Sequence, residues 1–498
     1  MKRAPISSLL AAVVGLAALA APALAAPTPP QAAASTNRPN VVLFLVDDAT
    51  VEDIEYMPRV QALLADRGTT FTRTYSPFPI CCPARATILT GRYPHNHRVL
   101  DNVAPLGGFT QFQDADTLST YLTRHYATAY IGKYLNDYDN QRYVPPGWDT
   151  FKAATDPSTY NYVNQTMNIN GRLRSFSDTY TTTLYARQAR SFIRSTATSP
   201  YFVYLSWVAP HTGTPHESAS DPLSPYVAPR YQDTYTGPLR PRDPSFNEAD
   251  VSDKPAVIQR RSLLTEAQIA AISEKLAQRR ESLRSVDDEV ARTVRRIAEL
   301  GQLDNTYFIF TSDNGQMQGQ HRLGNGKSVS YEPSARVPLI IRGPGVPRGA
   351  DYAGVTGLQD LTPTILDMTN TPADVAGPID GVSVLRLLNG SLATDRPQLI
   401  ERTNSSRLSD AQIARGLEPS PAQAAALTSV SWVYRGLVTP DNWKYVRYLA
   451  TGEIEMYDLD TDPYELENLA GKPQYADRQS ELAALLKSYQ FCSGLACR

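Results

Sequence analysis

The chain has 498 residues, 42% of them hydrophobic, with 48 Lys and Arg against 50 Asp and Glu. That length suits one large domain with an appendage, or two to three ordinary ones. A net charge of -2 without a long basic run excludes nucleic acid as the main partner and leaves small-molecule and saccharide substrates open.

Met1-Lys2-Arg3, the apolar stretch Leu9 to Ala20 and then Ala23-Leu24-Ala25 form the pattern of a cleavable signal peptide over residues 1–25. The apolar stretch is too short for a comfortable membrane span. The expectation is an exported protein, extracellular or periplasmic, without a stable membrane anchor. Residues 26–39, rich in Ala, Pro, Thr and Asn, read as a disordered leader.

Short β-branched and aromatic runs then alternate with helical patterns. The strands are expected at Asn40 to Val46, Ala127 to Ile131, Tyr201 to Trp207, Thr306 to Thr311 and Val337 to Ile341, and the helices at Met57 to Arg67, Leu118 to His125 and Thr265 to Leu300. Such alternation predicts an α/β fold with a mostly parallel sheet covered on both faces. Ligands of such sheets bind at the carboxyl ends of the strands. Asp47 and Asp48, Lys133, His211, and Asp313 with Asn314 all fall at those ends.

The segments Asp137 to Pro200 and Thr212 to Asp253 are expected to be long irregular loops near the site. After Arg396 the pattern changes to antiparallel strands, Trp443 to Tyr448 and Glu453 to Leu459, and a helix near Arg478 to Gln490. The predicted division is a catalytic domain over residues 40–395 and a C-terminal α+β subdomain over 396–498.

The most informative segment is Cys81-Cys82-Pro83-Ala84-Arg85-Ala86-Thr87-Ile88-Leu89-Thr90-Gly91-Arg92. Pro favours the first helical turn, so Cys81 is expected just ahead of a helix N-terminus, where free N–H groups and the dipole favour an anion. Arg85 adds a positive charge one turn on. Taken alone, Cys81 and Cys82 could equally be buried thiols or disulfide partners. Cys492 and Cys497 are close enough for one small disulfide loop, which leaves the first two without distant partners. Asp47, Asp48, Asp313 and Asn314 offer hard oxygen ligands with no clustered His or Cys, a set suited to Ca²⁺ or Mg²⁺ rather than zinc. Lys133, His211 and Lys327 in isolation read as ordinary structural or surface residues.

Cys-x-Pro-x-Arg followed by Leu-Thr-Gly-Arg resembles the signature of the type I sulfatases, in which the first Cys is oxidised to formylglycine (3-oxoalanine). The resemblance runs from about Asn40 to Leu469. It implies an alkaline-phosphatase-like sandwich, a formylglycine-generating enzyme acting on Cys81 during maturation, and one Ca²⁺ (Mg²⁺ second) held by Asp47, Asp48, Asp313, Asn314 and the modified Cys81. It further implies catalytic roles for Arg85, Lys133, His211 and Lys327. Pro94-His95-Asn96-His97, Gly132-Lys133-Tyr134-Leu135-Asn136 and Val144-Pro145-Pro146-Gly147-Trp148 are similar to the branch of N-acetylglucosamine-6-sulfatases and extracellular heparan endosulfatases. His95, His97, Asn136 and His321 thereby become candidate substrate contacts. Leu135 departs from the family's usual His, and Asn136 or His95 could stand in for it. The implied activity is hydrolysis of sulfate monoesters, with 6-O-sulfated N-acetylglucosamine in glycans as the substrate. The alternatives are a broad arylsulfatase, a phosphate or phosphonate monoester hydrolase, and a glycan-binding protein with an unmodified Cys81.

Overall fold

The computed structural model describes residues 38–139, 142–215, 224–393, 395–404 and 432–498. The predicted signal peptide and most of the predicted leader lie outside the described residues. Strand β1, Asn40–Val46, is apolar after its first residue and buried throughout. Its side chains divide between two cores, with Val41, Leu43 and Leu45 entering one and Val42, Phe44 and Val46 the other. A strand covered by helices on both faces has this continuous apolar character.

The central sheet contains β1, β2 (Thr69–Tyr75), β3 (Ala127–Gly132), β4 (Thr150–Ala154), β5 (Gln165–Ile169), β6 (Arg172–Phe176), β7 (Tyr201–Ser206), β8 (Thr306–Ser312), β9 (Arg336–Arg342) and β10 (Ala350–Gly357). Their order is β10-β2-β9-β8-β1-β7-β3-β4-β5-β6. The middle five, β8 to β4, run parallel, with Leu43 of β1 opposite Tyr204 of β7 and Ile309 of β8. Their carboxyl ends therefore open on one rim.

The helix Cys81–Thr90 packs on the Leu43 side with every residue buried. Gly91 ends it in the left-handed conformation, φ +68°, returning its N–H to the Thr87 carbonyl, the usual reason for glycine at this position. On the opposite side lie Thr181–Ser195 and the long helix Glu266–Glu299. Thr265 caps the long helix, its hydroxyl accepting from the Gln268 N–H at 3.3 Å while the Gln268 side chain reaches back to the Thr265 N–H.

A second, antiparallel sheet is formed by β11 (Gln398–Thr403), β12 (Trp432–Val438), β13 (Trp443–Tyr448) and β14 (Ile454–Asp458). The helix Ala476–Tyr489 follows, and Cys492 is joined to Cys497. Cys81 and Cys82 are free, buried thiols. No helix among the described residues is long and apolar enough to cross a membrane.

Three expectations need correction. The segment Asp137 to Pro200 is not one irregular loop, because it contains β4, β5, β6 and the helix Thr181–Ser195. β5 and β6 form a polar edge hairpin turned by Asn170 (φ +49°) and Gly171 (φ +84°), a strand pair that carries no apolar run. The strand predicted at Val337 to Ile341 is present but lies antiparallel to both β8 and β2. The helix expected over Met57 to Arg67 is one α turn, Pro58–Val60, continuing into a wider π turn, Gln61–Ala65.

Candidate active site

Strand alternation explains how the first two carboxylates part. Leu45 faces the Cys81 helix, so Asp47, two residues on, faces it as well. Asp47 Oδ1 lies 3.4 Å from Cys81 Sγ, and its Oδ2 receives Arg85 Nη2 at 3.2 Å and the Lys133 ammonium. Asp48 adopts φ +72° and turns toward the neighbouring strand end. Its Oδ1 accepts from Asn314 Nδ2 at 2.7 Å and from the Lys327 ammonium, while His211 Nε2 stands 3.7 Å from its Oδ2. Asp313 Oδ1 accepts from the N–H groups of Asp48 (3.2 Å) and Asn314 (2.9 Å), and its Oδ2 accepts from Arg85 Nε at 2.8 Å.

Lys133 reaches this cluster because Gly132 (φ +114°) turns the chain where a Cβ would sit 1.8 Å from the Ser206 carbonyl. Only glycine fits there. The Lys133 N–H then closes onto the same carbonyl at 3.0 Å. The loop carrying Lys327 is fastened by the Ser328 N–H to the Pro79 carbonyl at 2.9 Å, just ahead of Cys81, which brings Lys327 Nζ to 2.9 Å from Cys81 Sγ. Cys81 itself is the first residue of its helix rather than the residue before it.

Arg85 points inward. Besides its two carboxylates it donates through Nη1 to Ser206 Oγ (2.7 Å) and to the carbonyls of Lys133 (2.9 Å) and Tyr134 (3.3 Å), so its charge acts on Cys81 through Asp47.

Electrostatics follow from this packing. Burial opposes ionisation of Asp47, but Lys133, His211, Arg85 and Lys327 together hold it well below the usual carboxylate range. Asp48 is likewise lowered, Lys327 and His211 prevailing over burial and over Asp47. Asp313 is raised by burial and by Asp47. Burial and Asp47 push the Cys81 thiol up to about 12 despite both lysines. His211 is pulled down to about 4 by burial, against the attraction of Asp48 and Asp47. The ring is therefore neutral near pH 7. A 2.6 Å contact from its Nδ1 to the Thr212 carbonyl, which can only accept, places the proton on Nδ1.

The carboxylates suit a hard divalent cation, although the fold, against the expectation of no clustered His or Cys, brings a thiol and an imidazole beside them. Asp47, Asp48, Cys81 and His211 present potential ligand atoms within 4.8 Å of one another. Asn314 Oδ1, beside Asp48, is buried without a hydrogen-bond partner, and an orphaned carbonyl oxygen next to carboxylates is a vacant hard ligand.

Two groups at the mouth complete the picture. The His211 side chain is 21% exposed and that of Lys327 16%, whereas Lys133 is fully buried. Tyr160 stacks on His211 with ring centroids 4.5 Å apart, and Lys133 Nζ lies 4.7 Å from its centroid. Asn136 Nδ2 donates to the Tyr160 hydroxyl at 2.8 Å, which brings Asn136 to the wall of the site. Sequence reasoning missed Tyr160. It also missed Asn102, whose Oδ1 caps the Cys82 N–H at 2.9 Å.

The other candidate histidines have their contacts elsewhere. His95 is buried between Glu401 (Nδ1, 2.8 Å) and the Cys492 carbonyl (Nε2, 2.9 Å). His97 is held by the Thr87 hydroxyl at 3.0 Å and accepts the Val99 N–H at 3.1 Å. His321 pairs with Glu248 at 2.6 Å and packs on Tyr331.

Comparison with known proteins agrees with this geometry. The family model described as Sulfatase matches residues 39–371. This chain belongs to the sulfatase family. Human N-acetylglucosamine-6-sulfatase is 31% identical to this sulfatase over 497 residues, covering 94% of this chain and 87% of that protein. A Drosophila melanogaster extracellular sulfatase SULF-1 homologue is 35% identical over 71% of this chain, which spans about a third (32%) of that longer protein. Among solved structures, one of a protein in complex with its substrate D-glucosamine-2-N,6-O-disulfate superposes with a TM-score of 0.69 at 22% identity, covering 91% of this chain and 97% of the other. The shared architecture is the alkaline-phosphatase-like fold, and the sulfatase is a hydrolase of sulfate esters.

Proposed function

We propose that this sulfatase is exported and removes the 6-O-sulfate of N-acetylglucosamine units in glycans, using Cys81 converted to formylglycine and one Ca²⁺ held by Asp47, Asp48, Asp313 and Asn314. The observation that carries this reading is the position of Cys81 Sγ at a helix N-terminus, 3.4 Å from a carboxylate and 2.9 Å from Lys327. The 31% identity to the human N-acetylglucosamine-6-sulfatase supports the choice of sugar.

Formylglycine, once formed and hydrated, would supply one hydroxyl oxygen to bond sulfur as the S–O bond to the alcohol breaks and a second whose deprotonation would expel sulfate and restore the aldehyde, and the cation would draw charge off the sulfate oxygens. The remaining work falls to this chain's own residues. Lys133 and Lys327 each spend one N–H on a carboxylate and present the others to the sulfate, where preorganised donors are most effective in a site shielded from water. Arg85 holds Asp47 and Asp313 in place. His211, fixed as the Nδ1–H tautomer, presents an unprotonated Nε2 at the partly exposed mouth, where it takes the proton released by the attacking hydroxyl and passes it to the alcohol oxygen as the S–O bond breaks.

The test combines mass spectrometry of the tryptic peptide ending at Arg85 with turnover of 6-O-sulfated N-acetylglucosamine, an aryl sulfate and the matching aryl phosphate. An aldehyde-bearing peptide, hydrolysis of the sulfated sugar and a folded but inactive Cys81→Ala variant are expected. An active alanine variant refutes the nucleophile assignment. Faster turnover of the aryl phosphate, or of the aryl sulfate alone, replaces the substrate assignment with the phosphatase or arylsulfatase reading.

A further inference from the structure

The long helix Glu266–Glu299 supplies none of the groups assigned to chemistry, yet one of its arginines touches the loops that carry them. Arg279 is fully buried. Its Nη2 donates to the Asp48 carbonyl at 2.6 Å and to Asp53 Oδ2 at 2.8 Å. Its Nη1 donates to Gln316 Oε1 at 2.5 Å and reaches the Pro210 carbonyl at 3.5 Å. Asp48 is a metal-ligand candidate, Pro210 precedes His211, and Gln316 lies two residues after Asn314. Gln316 passes the connection on, its Nε2 donating to Asn325 Oδ1 at 2.9 Å in the loop of Lys327.

We propose that Arg279 is a positioning residue that holds the strand-end loops bearing Asp48, His211, Asn314 and Lys327 in mutual register. Two features make a purely space-filling role inadequate. Asp48 sits at φ +72°, a conformation of cost for a non-glycine residue that persists only where its surroundings enforce it, and the shortest bond of Arg279 to backbone is to the carbonyl of that very residue. A planar guanidinium also offers donors in a fixed fork, so it sets the distance between two loops where a lysine ammonium would only attract each. Asp53 compensates its charge and in turn accepts the Thr50 N–H at 3.0 Å, steadying the chain just after Asp48.

This inference rests on the function proposed above, and the experiment separates the two. The full chain, with conversion of Cys81 verified by mass, is compared as wild type, Arg279→Lys, Gln316→Ala, Asp53→Asn and Arg190→Lys. Arg190 serves as the control: it pairs with the buried Glu289 of the same helix at 2.6 Å and touches no loop of the site. Each protein is assayed for kcat and KM on an aryl sulfate, for melting temperature in chelator, and for the Ca²⁺ concentration that gives half of the ion-dependent thermal stabilisation.

Outer-shell partners of metal ligands typically change affinity or activity by about 10- to 100-fold. Arg279→Lys is therefore expected to lose about 10- to 100-fold in kcat, with the Ca²⁺ midpoint raised by a similar factor and KM moving less. Gln316→Ala and Asp53→Asn, milder and expected to fold, should shift the same two quantities in the same direction. Arg190→Lys should lower melting temperature without changing kcat by more than about twofold. Wild-type kcat and Ca²⁺ midpoint in Arg279→Lys, or in both milder variants where Arg279→Lys does not fold, overturn the proposal. So does a loss of activity in Arg190→Lys that matches its loss of stability as closely as in Arg279→Lys. A wild type without Ca²⁺-dependent sulfatase activity instead overturns the function on which it rests.

Discussion

Replacing Arg85 by Met keeps an unbranched apolar stem and removes every charge-assisted bond the guanidinium makes. In the native protein Arg85 bridges Asp47 at 3.2 Å and Asp313 at 2.8 Å, with its side chain 1% exposed and both carboxylates fully buried. Removing one partner of such a buried pair typically costs about 3–5 kcal/mol, because the remaining charge stays buried and uncompensated. Lys133 still faces Asp47, so the deficit concentrates on Asp313, whose affinity for a proton burial and Asp47 already raise. The sign follows from that. A carboxyl whose folded pKa lies above its unfolded value stabilises the fold at low pH and loses that contribution as pH rises through the folded value. The deficit of Arg85→Met should therefore be smaller at pH 5 than at pH 8. An unfolding entropy of about 2.1 cal/mol/K per residue over the compact unit Arg38–Arg498 makes each kcal/mol worth about 1 °C. Calorimetry in chelator should thus show a melting temperature about 3–5 °C below wild type at pH 8. A deficit under about 1 kcal/mol that does not change with pH would refute the claim that Arg85 balances these carboxylates.

The same logic applies outside the site. Burial lowers His97 to about 3, so it is neutral in the fold, and its contribution to stability is lost as pH falls below the unfolded value near 6.5. At pH 5 the loss is about 2 kcal/mol, and His97→Gln should flatten the acid limb of a denaturation series by that amount. Wild-type acid sensitivity in that variant refutes the assignment. His95 behaves oppositely: burial works against its charge, but Glu401 raises it, so its contribution is present below about pH 6.5 and lost as pH rises through the raised value. The Cys492–Cys497 bond closes a loop of sequence separation 5, and chain entropy makes its removal by paired Cys→Ser changes worth about 2 kcal/mol. Hydrogen exchange should localise that loss to the C-terminal helix and to the neighbourhood of His95, whose Nε2–H donates to the Cys492 carbonyl. An unchanged exchange pattern sinks the idea.

The parallel core was legible because burial on both faces leaves β1 and β7 apolar at nearly every position and β8 apolar from Tyr307 to Phe310, and their polar successors Asp47, Asp48, His211, Asp313 and Asn314 stand out against that background. β5 and β6 were not: Arg172-Leu173-Arg174-Ser175-Phe176 is the exposed edge strand, and the buried polar residues of Gln165-Thr166-Met167-Asn168-Ile169, Gln165 and Asn168, are satisfied by hydrogen bonds to other loops. Asn170-Gly171 between them is a hairpin signal that could have been read. Arg279 illustrates a deeper limit. Gln278-Arg279-Arg280-Glu281 looks like the wet face of a helix, and only the arrival of the Asp48, Pro210 and Gln316 loops above it turns that arginine into a buried donor. His95 and His97 show the converse, polar residues of the short helix Pro94–His97 whose ring nitrogens are taken up by the protein's own groups.

Charge balance bears on the cation proposed for the site. Asp47, Asp48 and Asp313 face Arg85, Lys133 and Lys327 in a buried cluster, three charges of each sign, and His211 is neutral near pH 7. Such a cluster has no net attraction for an anionic ester, and its lysines are already turned toward carboxylates. A divalent ion among the oxygens changes the sum to +2. An ion so held would compete with Lys133 and Lys327 for the carboxylates and would leave their ammonium groups available to a sulfate. The orphaned Asn314 Oδ1 makes the same case from hydrogen bonding that the charges make from electrostatics.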